Sequence, residues 1–339
     1  LYIRPQYYFH YYGFSWVHPY SATSTYLLFL VCGVSALFFA LGLFYRISSV
    51  VLFLSFTWIE LLDKTNYLNH YYFVTLVLFL MMWLPTHVTL SVDSMRKPAI
   101  ARRYVPRFTV GSIRLMMAIV YVYAGLAKLN SDWLVKAMPL RLWLPAKNDL
   151  PLIGPLLNEV WVAFFFSWFG AVYDLTIPFF LLKRATRKWA YAAVVVFHVA
   201  TSILFPIGMF PYIMVLSALV FFDSADVDAL LQQCKNHFTK IPVYQGNDIY
   251  TFTPPKQQVL LAGLQVFFVI QLLFPWRYLL MPGELFWTEE GYRFSWRVML
   301  MEKNAYTTFV VKDKTGKIAE VRNKEYLTPQ QDKMMSTQP

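Results

Sequence analysis

Long apolar runs alternate with short polar corners along almost the whole chain. Runs of about 15–22 apolar residues have the length that a helix needs to cross the hydrocarbon core of a bilayer. They lack the period-two alternation of membrane β-strands, and a backbone in hydrocarbon must satisfy its own hydrogen bonds. The pattern predicts an all-α polytopic membrane protein with about eight transmembrane helices. They are placed at about residues 24–44, 47–62, 71–84, 110–127, 159–182, 189–205, 212–222 and 258–280.

The two ends of the chain differ from this apolar middle. The first 20 residues are aromatic and polar, as is typical of the headgroup level, and we expect one more span before residue 1. After Pro282 the composition becomes polar, and two short β-type runs flank residues 313–316, which predicts a hairpin. We therefore predict a transmembrane helical domain at residues 1–281 and an extramembranous β-containing portion at 282–339, which we expect to continue further.

Two other features refine this picture. Ser224 has the character of an N-cap and predicts an amphipathic helix to about residue 238.

Only 14% of the residues are charged, against about 25% in soluble domains. The net charge of +11 lies largely beside apolar spans, so we interpret it as an orientation signal and expect no nucleic-acid partner.

The basic loops predict how the chain is oriented in the lipid bilayer. The strongest clusters, at residues 96–107 and 183–188, are assigned to the cytoplasmic side by the positive-inside rule. Counting spans from there places residues 223–256 inside. The segments assigned to the outer, periplasmic or lumenal side are residues 1–20, 63–70, 128–158 and everything after about 280.

Lys128 is the most informative candidate for chemistry. It follows a long apolar helix in the stretch YVYAGLAKLNSDW, residues 121–133, where the chain should leave the bilayer. A cation so close to hydrocarbon is costly, and desolvation favours the neutral amine, which can act as a general base. The alternative is a lysine that extends its amine to the headgroups.

Asn69 and His70 begin another apolar run on the same predicted side. A histidine can exchange a proton or orient a phenolic oxygen, and an asparagine can hold one through its amide. The alternative is an interfacial helix start with Asn69 as the N-cap.

Three further groups lie inside or beside apolar runs. His198 lies in mid-span and is either a site residue or a hydrogen-bonded structural histidine. Arg114 lies at the other end of the helix that leads to Lys128, where a cytoplasmic headgroup contact is the alternative. Asp174 and Glu60 are intramembrane carboxylates whose partners the sequence does not identify. No cluster has the spacing of metal ligands, so we expect no metal.

Several stretches resemble the vitamin K-dependent gamma-glutamyl carboxylase family, including its bacterial members with a horizontally transferred transmembrane domain. They are LGLFYRISSVVLFL (41–54), LLDKTNYLNHYY (61–72), IVYVYAGLAKLNSDW (119–133), FHVATSILFPIGMFPY (197–212) and GYRFSWRVML (291–300) followed by the predicted hairpin. The similarity covers nearly the whole chain in the same order, and the patterns LDKTxxxNH and AGxxKLxxDW are its most specific parts.

The resemblance implies a lyase-type carboxylase that uses reduced vitamin K, the hydroquinone, with O2 and CO2 as co-substrates and a glutamate-containing peptide or protein as partner. Epoxidation of the hydroquinone then drives formation of gamma-carboxyglutamate. It implies that Lys128 deprotonates the hydroquinone and that Asn69 and His70 hold and help to ionise its oxygen. It also implies that Arg114, His198 and the segment from Trp296 to Lys303 line the quinone pocket or its outer mouth. Where the family often has a second lysine before the base, this chain has Ala127.

Two alternatives to this function stay open at the level of the sequence. One is an enzyme that epoxidises or oxidises a quinol without carboxylating protein. The other is a membrane scaffold or transporter without enzymatic activity, although we see no repeated halves of the kind that transporters often have.

Overall fold

A computed structural model describes residues 2–235 and 248–338. Its α-helices are α1 (Ala22–Leu41), α2 (Tyr45–Leu61), α3 (Asn69–Trp83), α4 (Val92–Arg96), α5 (Arg107–Ala127), α6 (Ser131–Leu134), α7 (Leu140–Trp143), α8 (Val160–Leu182), α9 (Arg187–Leu204), α10 (Phe210–Ser217), α11 (Ser224–Lys235), α12 (Pro254–Leu273), α13 (Leu285–Thr288) and α14 (Pro329–Thr337). Short 3-10 turns extend α10 to Phe221 and α12 to Leu280. The strands are β1 (Phe309–Lys312) and β2 (Ile318–Val321).

A helix lies at each of the eight predicted spans, but the predicted count of spans is not confirmed. Within the described ranges, four helices are long and apolar enough to cross a bilayer. They are Ala22–Leu41, Arg107–Ala127, Val160–Leu182 and Pro254–Leu280. The segments Asn69–Trp83 and Phe210–Phe221 are apolar but shorter. The chain is therefore a helical membrane protein, as the apolar pattern predicts.

The packing of α5 against α8 forms the centre of the helical bundle. Met116, Met117 and Tyr121 of α5 are buried in one cluster with Tyr173 and Leu181 of α8. Small residues at helix interfaces in membranes let two backbones approach closely. Gly125, near the end of α5, is such a residue.

Gly125 lies where the backbones of α5 and α8 approach closely. A Cβ atom at this position would lie 2.7 Å from Cγ and 2.9 Å from the backbone nitrogen of Leu175. A side chain there would therefore push α8 away from α5. Because Asp174 precedes Leu175, Gly125 also brings the carboxylate of α8 towards the end of α5.

Polar contacts gather at the two ends of the bundle. At one end Arg103 pairs with Asp228 of α11 at 3.0 Å, and Arg187 pairs at 2.7 Å with Asp223, the residue before α11. At the other end the amide of Asn69 donates to the carbonyl of Arg297 at 3.0 Å. The contacts group segments that were predicted to share a side of the bilayer.

The predicted hairpin is confirmed as a small antiparallel sheet of β1 and β2. Phe309 pairs with Val321, and Lys312 pairs with Ile318. The turn is held by Oδ1 of Asp313, which accepts from the backbone nitrogens of Thr315 and Lys317 at 2.8 and 3.0 Å. The amphipathic helix predicted from Ser224 is present as α11 to Lys235, and its predicted last residues, 236–238, lie outside the described residues.

Candidate active site

Lys128 lies at the C-terminal end of α5 and points towards α8. Its Nζ donates to Oδ2 of Asp174 at 2.6 Å and to the carbonyl of Ala124 at 3.2 Å. The side chains of Lys128 and Asp174 are only 9% and 8% exposed. The indole ring of Trp133 lies 5.5 Å from Nζ, which adds a cation–π contact. The amine is therefore enclosed by protein and paired with a buried carboxylate.

The residues that follow Lys128 fix this corner in place. Oδ1 of Asn130 accepts from the backbone nitrogen of Trp133 at 3.0 Å and caps the short helix α6. The indole nitrogen of Trp133 then donates to the carbonyl of Ser167 in α8 at 2.8 Å. Asp132 instead forms an exposed pair with Lys136 at 2.8 Å. The NSDW part of the motif thus caps a helix and attaches it to α8.

A cavity of about 100 Å³ adjoins the Lys128–Asp174 pair. Most of its wall is apolar and aromatic, with polar groups contributed by the pair, Tyr121, His198 and Thr201. The aromatic part of the wall is formed by Trp133, Trp143, Phe166, Phe197, Phe205 and Phe210. The arrangement offers charged and hydrogen-bonding atoms to one part of a flat apolar ligand.

His198 lines this cavity and has one ring nitrogen without a hydrogen-bond partner among the described residues. Its Nε2 lies 3.1 Å from the hydroxyl of Tyr121, and the residue is 1% exposed. Its Nδ1 is buried without a hydrogen-bond partner among the described residues. A buried polar atom left unpaired costs about 1–3 kcal/mol, and such exceptions need an explanation. A ligand in the cavity would provide one.

Asn69 lines a separate pocket of about 230 Å³ together with Tyr67, Arg293 and Arg297. Its Oδ1 accepts from the hydroxyl of Tyr67 at 3.0 Å, and its Nδ2 donates to the carbonyl of Arg297. Met299 is a wall of both this pocket and the Lys128 cavity. Asn69 and Lys128 therefore line two different cavities, which have the side chain of Met299 as a common wall.

His70 reaches the Lys128 cavity only through Phe210. Its buried ring lies 5.9 Å from the ring of Phe210, which lines the cavity and lies 5.7 Å from the ring of His198. The two imidazoles thus contact one phenylalanine.

The structure does not bring Arg114 and Trp296 to the cavity. Arg114 lies in the first half of α5, where Nε and Nη2 donate to the carbonyls of Val220 and Phe221 at 2.9 and 3.0 Å. Trp296 is buried in the core, where it stacks on Tyr72 at 5.0 Å. Val298 and Met299 of the same segment do line the cavity.

Sequence reasoning noted Asp174 as an intramembrane carboxylate but did not place it in the site. The sequence did indicate that Asp174 has a partner, because a carboxylate within an apolar span is energetically unfavourable unless it is paired. The identity of that partner depends on packing between α5 and α8. Met299 lies in the segment from Trp296 to Lys303 that the resemblance implied, but nothing in the sequence distinguished it within that segment, because its importance comes from its place between two cavities.

These features define a helical membrane protein with a lysine–carboxylate pair in a mostly apolar cavity. The HTTM domain family matches residues 1–225, and the lumenal domain of the vitamin K-dependent gamma-carboxylase matches residues 256–339. The first match alone covers more than half of the chain. The chain belongs to the vitamin K-dependent gamma-carboxylase family. No solved structure matches it.

Proposed function

We propose that the protein ionises reduced vitamin K at Lys128 and couples its epoxidation by O2 to the addition of CO2 to a peptide glutamate. The observation that carries this proposal is the buried Lys128–Asp174 pair in a cavity that His198, with its unpaired Nδ1, also lines. Proton-transfer groups in a mostly apolar cavity support the proposal, because a phenol must be ionised there without help from solvent.

The residues present fit a lipid-tailed quinol in chemistry. The aromatic wall suits a flat ring, and the free imidazole nitrogen suits its oxygen. The free volume of about 100 Å³ is small beside the roughly 300–1,000 Å³ of most ligand pockets. Entry of a bicyclic ring therefore requires the flexible side chains of Met299 or Met214 to move.

The bound quinol, on reaction with O2, supplies the strong base that removes the gamma-proton of glutamate. The chain's own residues prepare this chemistry. Lys128 receives the phenolic proton at Nζ, and its positive charge lies beside the ionised oxygen. Nδ1 of His198 fixes the position of an oxygen, and the aromatic wall keeps water away. Asn69 retains one amide proton for a ligand once Met299 has moved.

The pocket at Asn69 is suited to the glutamate substrate. Arg293 and Arg297 line it, and Nε of Arg297 is buried without a hydrogen-bond partner in the described part of the chain. Burial lowers the pKa of the Arg297 guanidinium, and a bound carboxylate would offset that penalty. The shared wall at Met299 would place the gamma-carbon of this substrate next to the quinol site.

The proposal is tested with the full chain in lipid nanodiscs. Epoxide formation from vitamin K hydroquinone is measured together with incorporation of labelled bicarbonate into a glutamate peptide. We expect both products from wild type and neither from Lys128→Ala. Lys136→Ala is the matched control, because Lys136 forms an exposed pair nearby, and it should keep both activities.

Other outcomes contradict part or all of this assignment. Full epoxide formation by Lys128→Ala would remove the role of the lysine. Epoxide from wild type with no fixed CO2 would instead select the quinol oxidase that the sequence left open. Failure of wild type to consume hydroquinone would contradict the enzyme itself.

A further inference from the structure

We infer that the terminal proton acceptor of this site is the carboxylate of Asp174, with Lys128 acting as the relay that carries the proton to it. The inference rests on the proposed function and assigns a role to a residue that the sequence left without one. It starts from the contact of 2.6 Å between two buried side chains of opposite charge.

The charges of the pair determine which atom can accept a proton. Two buried side chains of opposite charge favour the ionised pair, because neutralising or removing either one leaves the other charge uncompensated. In the ion pair Lys128 already carries its full set of protons. The carboxylate of Asp174 is then the only member of the pair with a free site for a proton. A resting ion pair can therefore act as a base only through Asp174.

The transfer balances without any further reactant. First one of the N–H bonds of the ammonium breaks, and its proton forms an O–H bond on Oδ2 of Asp174, which leaves a lone pair on Nζ of Lys128. The O–H bond of the phenol then breaks and leaves its electron pair on the oxygen, and its proton forms a bond to that lone pair. The pair gains one positive charge, which lies beside the new negative charge on the ligand. No net charge is created in the cavity.

The surroundings support this assignment. The other titratable groups around the pair are Tyr121 of α5 and His198 of α9, which line the same cavity, and Tyr173 of α8, whose ring lies 6.1 Å from that of Tyr121. Among the described residues that line the cavity, Asp174 is the one carboxylate. Asp174 is therefore the carboxylate in this lining that can accept a proton from Lys128.

A simpler role for Asp174 is to stabilise the ammonium of a lysine that acts alone. The two roles predict opposite changes in the acid limb of the pH–rate profile for Asp174→Asn. If Asp174 is the acceptor, the variant must use the neutral amine of Lys128 instead. Free carboxyl groups and amines protonate several pH units apart, so the acid limb should move to higher pH by at least about one unit. If Asp174 only stabilises the ammonium, its loss should move the limb to lower pH.

The experiment measures hydroquinone epoxidation against pH for wild type, Asp174→Asn, Asp174→Glu and the control Asp132→Asn. Asp132 is a half-exposed carboxylate that pairs with Lys136 near the same corner. We expect the alkaline shift in Asp174→Asn alone. A shift to lower pH, or a fall in rate with an unchanged limb, would overturn the inference. Turnover by wild type confirms the proposed function separately, so the two failures are distinguishable.

A spectroscopic measurement keeps the inference testable if Asp174→Asn does not fold. Hydroquinone is added to wild type without O2, and the infrared difference spectrum is recorded. We expect a new carbonyl band of a protonated carboxylic acid that shifts on labelling the protein with 13C-aspartate. The band should persist in Asp132→Asn. Ionisation of the bound phenol without this band would contradict the relay.

Discussion

Nζ of Lys128 and Oδ2 of Asp174 lie 2.6 Å apart, although 46 residues separate them in the chain. A charge buried in the bundle needs its partner, but a well-packed apolar pair needs none. We expect Lys128→Met and Asp174→Leu each to lower the free energy of unfolding by about 3–5 kcal/mol. The double variant should recover most of that loss. Thermal and denaturant unfolding of the four proteins in nanodiscs measures the coupling, and strictly additive losses would contradict a direct pair.

Gly125 permits the close approach that creates the pair. An alanine there would put a Cβ atom 2.7 Å from Leu175 and displace α8, whereas Gly111 of the same helix has open space around it. We expect Gly125→Ala to lower the unfolding temperature. It should also lower the rate of hydroquinone epoxidation at least tenfold. Gly111→Ala should be neutral or stabilising by up to about 1 kcal/mol, because alanine is the better helix former. Equal behaviour of the two variants would show that helix approach does not control the site.

Met299 separates the Lys128 cavity from the pocket at Asn69. Its backbone has a φ of +54°, in the left-handed region that a methionine rarely adopts and that often marks a functional segment. We expect Met299→Ala to join the two spaces and to lower the KM for hydroquinone several-fold, while Met299→Trp should raise it. Met301→Ala is the control, since Met301 lines the Asn69 pocket alone. An unchanged KM in both Met299 variants would contradict the shared wall.

Asp223 connects Arg187 and Arg114 at the other end of the bundle. Hydrogen bonding to Arg187 at 2.7 Å holds the pKa of Asp223 below its usual value. A lowered folded-state pKa stabilises the protein at pH values above the unfolded pKa of about 3.9, and this stabilisation is lost as the pH falls through the folded value. We expect Asp223→Asn to unfold at lower temperature than wild type at neutral pH. The difference should narrow below about pH 4, and a constant difference over that range would exclude this ion pair as its cause.

The two sides of the bundle are distinguished by accessibility. Lys136 and Arg184 are exposed residues in segments predicted to lie on the outer side and on the cytoplasmic side of the membrane, respectively. With Cys32 and Cys234 replaced by serine, single variants Lys136→Cys and Arg184→Cys are labelled in intact cells by a membrane-impermeant maleimide. We expect labelling of the first and protection of the second until the cells are opened. The reverse pattern would invert the orientation that the basic loops predict.

The sequence by itself determined the class of protein, the positions of the long helices, the hairpin and the family. These features depend on residues that are close together in the chain, namely the length of an apolar run, the residues of a turn and the spacing within a motif. The number of membrane crossings could not be determined from the sequence in the same way. Segments such as Asn69–Trp83 are apolar but short, so length alone does not decide whether they span.

The tertiary structure decided which chemical groups meet. Asp174 became the partner of Lys128 because Gly125 lets two helices approach, and no pattern along the chain encodes that contact. The same packing left Nδ1 of His198 unpaired beside the cavity and moved Arg114 and Trp296 away from it. Helical periodicity determines which face a residue occupies, but only the packing of helices distant in sequence determines what that face meets.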